Sequence, residues 1–521
     1  MKNEKLNIPD AILTYVRGHL QKNKLILFIF SLASTLAVHF YMFVNKLPNH
    51  DDITALYTDY EFAVSSGRWM LRPLGLFSGG FSSSWVIGLM GAVFTAIGAL
   101  YIIKTLKINS FIPRALAAVI LVAFPSVCAT YTYMFCAAPY LLALALSAVS
   151  AYMISKNLLR YSIVGTLLLT VSLGTYQSYI TLTATLLLVN LIICIYDGTT
   201  FRALVKRALN YIICLISAFV LYVIVTKIII TVCGVQLTDY QGMSSFAELS
   251  LSTLAERIKL CYENFMLFHR GQRILSTSIE YITLMSYVLR FVIVASICAA
   301  IIKKLWKKPL QLFTLAVLYV LFPLSSTSAY LMTDAHTVHL LMVYSLVIFS
   351  ILPCIVFDRL NVKISAHKAV KCAAVILAIG ISLMQVMIAR EYILQTNKAY
   401  FVMDMTYENL YSYCIRLETQ IEQTEGYKSG LPVYFYGNAK LPQNNTPNAT
   451  VTGAVSAEEL FNSYARLHYM IEFTGFTPGY VTPEFEEYIK SSGVLETMPC
   501  YPDAGSVVNF EGNAIIVKLS D

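Results

Sequence analysis

The chain has 521 residues, 57% of them hydrophobic and only 13% charged, with a mean hydropathy of +0.64. A soluble domain carries about 25% charged residues, so this composition excludes an ordinary soluble protein and indicates an α-helical polytopic membrane protein. The net charge of +8 falls in short basic clusters between apolar runs, which argues against a nucleic-acid partner.

A spanning helix needs roughly 20 mostly apolar residues, and about eleven runs qualify. In chain order they are Leu25–Val44, Ser83–Ile103, Ala115–Thr130, Phe135–Ile154, Ser162–Thr175, Tyr179–Tyr196, Tyr211–Val232, Tyr281–Ile302, Leu310–Leu324, Val338–Phe357 and Cys372–Ile388. The first run is too long, and too poorly followed by a small-residue cleavage site, to be a removed signal peptide. The basic N-terminal segment, residues 1–24, holds Lys2, Lys5, Arg17, Lys22 and Lys24. With that segment in the cytoplasm, every second loop should be rich in Lys and Arg. Those loops carry Lys104, Lys107 and Arg114; Lys156 and Arg160; Arg202, Lys206 and Arg207; Lys303, Lys304, Lys307 and Lys308; and Arg359, Lys363, Lys368 and Lys371. The short alternate loops near Tyr131, Tyr176 and Asp334 carry neither residue. The expectation is a membrane protein with its N-terminus inside and its C-terminal region, about Arg390 to Asp521, outside.

The transmembrane bundle should occupy residues 25–389, with outer loops at 45–82 and 233–280. Composition turns polar after Arg390, so residues 390–521 are expected to form a small extracytoplasmic α/β domain. Ala399 to Gln423 reads as helix, and Leu431–Gly437 and Asn513–Lys518 read as strands. Cys414 and Cys500 both fall in this region, where a disulfide is compatible with the compartment.

Asn49-His50-Asp51-Asp52 stands just beyond the first apolar run. Ile53, Leu56, Tyr57, Tyr60 and Val64 follow at helical spacing and Gly67 is placed as a helix stop, so Asp52–Ser66 reads as an amphipathic interfacial helix. Asp51 then serves either as an N-cap or, with Asp52, as a catalytic base and an orienting group for a hydroxyl or a metal; both roles are compatible. His50 is a neighbour or a participant. Arg68 and Arg72 close the loop; an arginine fork suits phosphate, and an ion pair of Arg68 with Asp59 or Glu61 is the alternative. Trp69 suits the interfacial belt.

Arg290 sits near the middle of its apolar run, where an ionisable residue suggests a function such as holding a lipid phosphate, unless the helix projects beyond the bilayer and places it near the interface. Tyr176-Gln177-Ser178-Tyr179 offers four hydrogen-bonding side chains close to lipid, to be satisfied by a sugar or by neighbouring helices. Asp334, His336 and His339 lie on the last short outer loop, but their spacing is unspecific for a metal. Arg270, with His269 and Arg273, lies in the large outer loop and suits a phosphate or an anionic polymer.

At Asn49-His50-Asp51-Asp52, Gly67-Arg68-Trp69 and Tyr176-Gln177-Ser178-Tyr179, the chain resembles bacterial glucosyltransferase family II, known for O-antigen modification. The resemblance extends over about residues 1–200, and the many spans and polar outer tail fit it in position and character. It implies a GT-C-like enzyme that uses a polyprenyl-phosphate sugar on the outer side of the membrane. In that superfamily an acidic residue of the first outer loop is the usual catalytic candidate, a position that Asp51 and Asp52 match. The expected function is inverting transfer of a sugar, glucose by the resemblance, from the lipid-linked donor to a cell-surface glycan acceptor. Asp51 or Asp52 would act as base, Arg68, Arg72, Arg270 or Arg290 would bind phosphate, and His50, Tyr176, Gln177 or Tyr179 would bind sugar. No ligand set for a divalent metal is visible, so metal dependence stays open. A lipid-linked sugar transporter or flippase would favour repeats and several midplane charges. A polysaccharide polymerase or ligase would lean on outer arginines and histidines.

Overall fold

The computed structural model describes residues 22–55, 61–78, 81–238, 251–269, 305–332, 338–360, 367–439 and 461–521. Its principal helices are α1 (Lys22–Val44), α2 (His50–Thr54), α3 (Ser84–Thr105), α4 (Phe111–Ala123), α5 (Pro125–Tyr131), α6 (Met134–Ser155), α7 (Leu159–Thr175), α8 (Ile180–Tyr196), α9 (Phe201–Cys233), α10 (Leu251–His269), α11 (Pro309–Ser326), α12 (Val347–Asp358), α13 (Lys368–Gln423) and α14 (Pro483–Ser491). Among the described residues, eight helices are long and apolar enough to cross a membrane, and the bent pair α4–α5 makes nine. Helix α7 is a shorter apolar helix of 17 residues, and the expected run Tyr281–Ile302 lies outside the described residues. The protein is therefore a polytopic helical membrane protein.

The expected run Ala115–Thr130 is broken at Phe124, where α4 and α5 meet at 41°. Pro125 starts α5 without an N–H and holds Phe124 in an extended conformation (ψ 134°), so the helical ladder cannot continue across the pair. Close packing elsewhere rests on small residues. A methyl group on Gly98 of α3 would stand 2.4 Å from Leu144 of α6, and one on Gly165 of α7 would stand 2.6 Å from Ile154. Buried hydroxyls and amides tie the helices together. Ser147 meets Thr183 at 2.7 Å, and Asn190 donates to the Thr105 carbonyl at 2.9 Å while accepting from Tyr211 at 2.9 Å. Helix α6 lies at the centre against α3, α7 and α8. Its face of Ala137, Ala138, Ala143, Ala148 and Ala151 is fully buried. Helices α9 and α11 instead turn Ile212, Ile213, Ile216, Phe313 and Val320 outward, the apolar surface that lipid would cover.

Helix α13 runs unbroken through Arg390 for 56 residues. At 1.5 Å per residue it is about 84 Å long, far more than the ~30 Å hydrocarbon core, so it leaves the membrane as a single rod. Its distal half buries Met403, Leu410, Cys414, Leu417 and Ile421 at helical spacing. Three strands stand beyond it: β1 (Val433–Tyr436), β2 (Val507–Phe510) and β3 (Ala514–Lys518). The fully buried β3 is central, parallel to β1 with Val433 opposite Ile515 and antiparallel to β2 with Val507 opposite Val517. Helix α14, capped by the Thr482 hydroxyl, packs Ile489 against Tyr434 and Ile516. Cys414 and Cys500 are both free.

Candidate functional site

The acidic motif folds as the start of α2, and Asn49 rather than Asp51 caps it. The Asp52 N–H donates to Asn49 Oδ1 at 2.9 Å and the Asn49 N–H donates to Asp52 Oδ2 at 3.2 Å, a reciprocal capping box. Helix α2 closes at Ala55, so the expected continuous helix to Ser66 is divided. A second short helix, Glu61–Ser65, follows, with residues 56–60 outside the described set.

The two aspartates have different surroundings. Asp52 is fully buried, and its carboxylate also accepts the backbone N–H groups of Met134 at 2.9 Å and Phe135 at 2.6 Å, with the Ser82 hydroxyl at 3.4 Å. Met134 and Phe135 open α6, whose first N–H groups have no partner within the helix and carry the positive end of its dipole. Burial pushes the Asp52 carboxyl up to about 7; the hydrogen bonds from Phe135, Met134 and Asn49 pull it down, and the Asp51 charge adds to the rise.

The Asp51 carboxylate stays 36% exposed, 3.5 Å from His50 Nε2. His339, surface-exposed at the start of the 3-10 turn Leu340–Leu346, lies within electrostatic range of Asp51 and His50. Desolvation lowers its pKa most; Asp51 opposes this and His50 adds to it. Two atoms beside Asp51, Asn49 Nδ2 and His50 Nδ1, are buried with no hydrogen-bond partner among the described residues.

Gly67 stops the helix Glu61–Ser65 as its position in the sequence suggests. It adopts a φ of +72°, its N–H bonds the Val64 carbonyl at 3.0 Å, and the Arg68 N–H bonds the Ala63 carbonyl at 2.7 Å. This turn sends Arg68 inward. The guanidinium is buried, donates to the Tyr140 hydroxyl at 2.8 Å, and lies 5.9 Å and 5.4 Å from the ring centres of Tyr140 and Tyr176. Those rings stack on each other at 4.1 Å. Cys136, in the first turn of α6, lies within electrostatic range of Arg68, Asp51 and Asp52, so all three charges converge on that helix end. Arg72 is exposed on the short helix Leu71–Gly75. Trp69 donates to Thr226 at 3.1 Å and packs on Gly174.

Neighbouring helices supply the partners of the Tyr176–Tyr179 turn. Gln177 donates to the Ser66 carbonyl at 3.1 Å and to Tyr222 at 3.0 Å, while Tyr176 and Tyr179 are buried with their rings 5.3 Å apart. Arg270, Arg290, Arg273, Asp334 and His336 lie outside the described residues. Among the described residues, no group of three or more His, Cys, Asp or Glu side chains is arranged to hold a metal ion.

The tail also reaches this loop. Thr54 donates to the Tyr464 hydroxyl at 2.8 Å, Tyr407 donates to the Pro48 carbonyl, and Lys46 lies 4.2 Å from the centre of the Phe473 ring. The sequence offered no sign of Tyr140, Ser82 or the α6 N-terminus as part of the site. Asn49 was legible as a favoured capping type.

Comparison with curated proteins finds no match, nor does comparison with solved structures. A family model, described as Glucosyl transferase GtrII, matches residues 40–352, more than half of the chain. That span contains both aspartates, Arg68, the α6 N-terminus and His339; the tail lies beyond it. The acidic loop and the helices that enclose it thus belong to a membrane protein of the Glucosyl transferase GtrII family, a glucosyltransferase.

Proposed function

We propose that the protein transfers glucose from a polyprenyl-phosphate donor to a cell-surface glycan of the O-antigen type, on the outer face of the bacterial cytoplasmic membrane. The layout is GT-C-like, with the N-terminus inside and the tail outside, and the acceptor reaches the acidic loop beneath that tail. The observation that carries the mechanism is the division between the aspartates. The Asp52 carboxylate is engaged by backbone N–H groups, whereas Asp51 is open beside two unpartnered polar atoms. Asp51 is therefore the base and Asp52 the residue that positions it.

In this mechanism Asp51 takes the proton of the acceptor hydroxyl as that oxygen bonds to the anomeric carbon. The bond from that carbon to the phosphate oxygen breaks, and polyprenyl phosphate leaves with the electron pair, giving inversion. Arg68 supplies positive charge behind the leaving phosphate, and exposed Arg72 meets it from the surface. Arg270 and Arg290 are further phosphate candidates from the sequence. His50 and Asn49 hydrogen-bond the sugar, while Tyr176, Gln177 and Tyr179 shape the floor beneath Arg68.

Purified protein supplied with labelled polyprenyl-phosphate glucose and acceptor glycan tests this. Asp51→Asn should lose at least about a hundredfold in transfer, the scale of a removed general base, with the melting temperature unchanged. Transfer at the wild-type rate by Asp51→Asn would refute the assignment, and transfer of preassembled chains alone would favour a polymerase or ligase.

A further inference from the structure

At the opposite end of the bundle from the acidic loop, α1 and α4 begin and α3 and α6 end. Lys104, in the last turn of α3, is half-buried between two tyrosine rings, 4.3 Å from the centre of Tyr101 and 5.2 Å from that of Tyr152. Lys156, just past α6, also lies over this cluster, 4.3 Å from the centre of Tyr152. The two rings sit edge to face at 5.3 Å. Lys24 from α1 is also within electrostatic range of Lys104. Arg207 adds a fourth cation beside them, donating to the Ser155 carbonyl at 2.7 Å.

Among the described residues, the carboxylates at this end, Asp197 and Asp358, are committed elsewhere. Asp197 pairs with Lys107 at 2.8 Å, and Asp358 accepts the Ser110 N–H at 2.6 Å. Among the described residues, Lys24, Lys104 and Lys156 form no ion pair with a carboxylate. Crowding three ammonium groups at the edge of an apolar bundle is unfavourable until an anion joins them. A scattered basic loop keeps each lysine in water. Here Lys104 is instead held by rings from two different helices, an arrangement that fixes the cation and strips part of its water.

We infer that Lys24, Lys104 and Lys156, framed by Tyr101 and Tyr152, bind the phosphate of an anionic phospholipid. Lysine suits phosphate as a point charge, and basic residues at a membrane surface attract anionic lipid. A cavity of about 190 Å³ opens beside Lys24 along α1, lined by Ile26, Leu27, Phe30, Phe111 and Ala115 with Asn109 and Arg114 at its edge, with room for part of an acyl chain. This favours a lipid over a free anion. The site does not depend on which sugar the enzyme moves.

Native mass spectrometry of the full-length protein, purified and exposed in turn to phosphatidylglycerol and phosphatidylcholine, tests the inference. The wild type should retain phosphatidylglycerol preferentially, and the Lys104→Gln/Lys156→Gln variant should bind it about 25-fold more weakly, from about fivefold per lysine. Lys371→Gln, at the exposed start of α13, should bind as the wild type does. Equal retention by the double variant and the wild type would overturn the site, as would an equal loss in Lys371→Gln. Calorimetry with inorganic phosphate gives the other arm. Tight, lysine-dependent phosphate binding without any preference for phosphatidylglycerol would replace the lipid with a free anion. A melting scan of the double variant verifies that it is folded.

Discussion

Replacing Asp52 by alanine should destabilise the protein without touching the proposed base. The substitution removes the acceptor of the Asn49, Met134 and Phe135 N–H groups and of the Ser82 hydroxyl, all converging on a fully buried carboxylate. An orphaned buried donor costs about 1–3 kcal/mol. Ser82 can rotate away, and removing a desolvated charge returns part of the cost. About 3 kcal/mol of net destabilisation remains, which should lower the melting temperature of detergent-purified protein by several degrees. Asp51→Asn supplies the contrast, because its contact with His50 is partly exposed and such pairs contribute about 0–1 kcal/mol. If Asp52→Ala melted with the wild type, Asp52 would not be holding α2 to the head of α6. The division of roles between the aspartates would then fail.

The same carboxyl should leave a pH signature. Asp52 titrates near 7 in the folded chain, against about 3.9 when unfolded. A raised carboxyl pKa stabilises the fold below the unfolded value, and that contribution is lost as pH rises through the folded one. The melting temperature of the wild type relative to Asp52→Asn should therefore fall between about pH 4 and pH 7; a constant difference would count against a buried, titrating Asp52. Gly67→Ala forces a side chain into a φ of +72° and sets its Cβ 2.6 Å from the Tyr222 hydroxyl. This should cost about 2 kcal/mol and displace Arg68, read as a lower melting temperature together with weaker transfer. His339→Gln should reduce transfer, because His339 lies within electrostatic range of Asp51 and His50. Wild-type activity should decline as acid protonates His339, whose pKa is held below the ordinary histidine value by desolvation, and His339→Gln should remove that part of the decline; an unchanged pH profile would take His339 out of the site.

Most of the expected runs were legible because lipid imposes long apolar stretches, and the break at Phe124–Pro125, inside the expected continuous run Ala115–Thr130, could have been read from the proline. The aspartate pair was equally visible, but its division was not. The groups that engage Asp52 lie 82 and 83 residues further on, in Met134 and Phe135, and only the docking of α2 on α6 brings them together. The helix continues through the polarity change at Arg390, and its distal half buries Met403, Leu410 and Leu417 in a protein core. Gln177 and its tyrosines drew attention as polar residues at membrane depth, a type that calls equally for a ligand or for packed neighbours, and packed neighbours are what the fold provides. The strands β1 and β3 were readable from their apolar, β-branched and aromatic residues. The shorter β2, containing Asn509, carried a weaker pattern.

The unbroken length of α13 gives it the properties of a mast. Its foot lies among the apolar helices, and its upper part, through Tyr407, holds the Pro48 carbonyl next to the acidic loop. A change in membrane thickness or curvature that leans the foot must swing the top by a larger distance, carrying the tail with it. On the proposed function, the lipid around α13 would thus act on the acidic loop through a helix that, among the described residues, contributes no carboxylate to it.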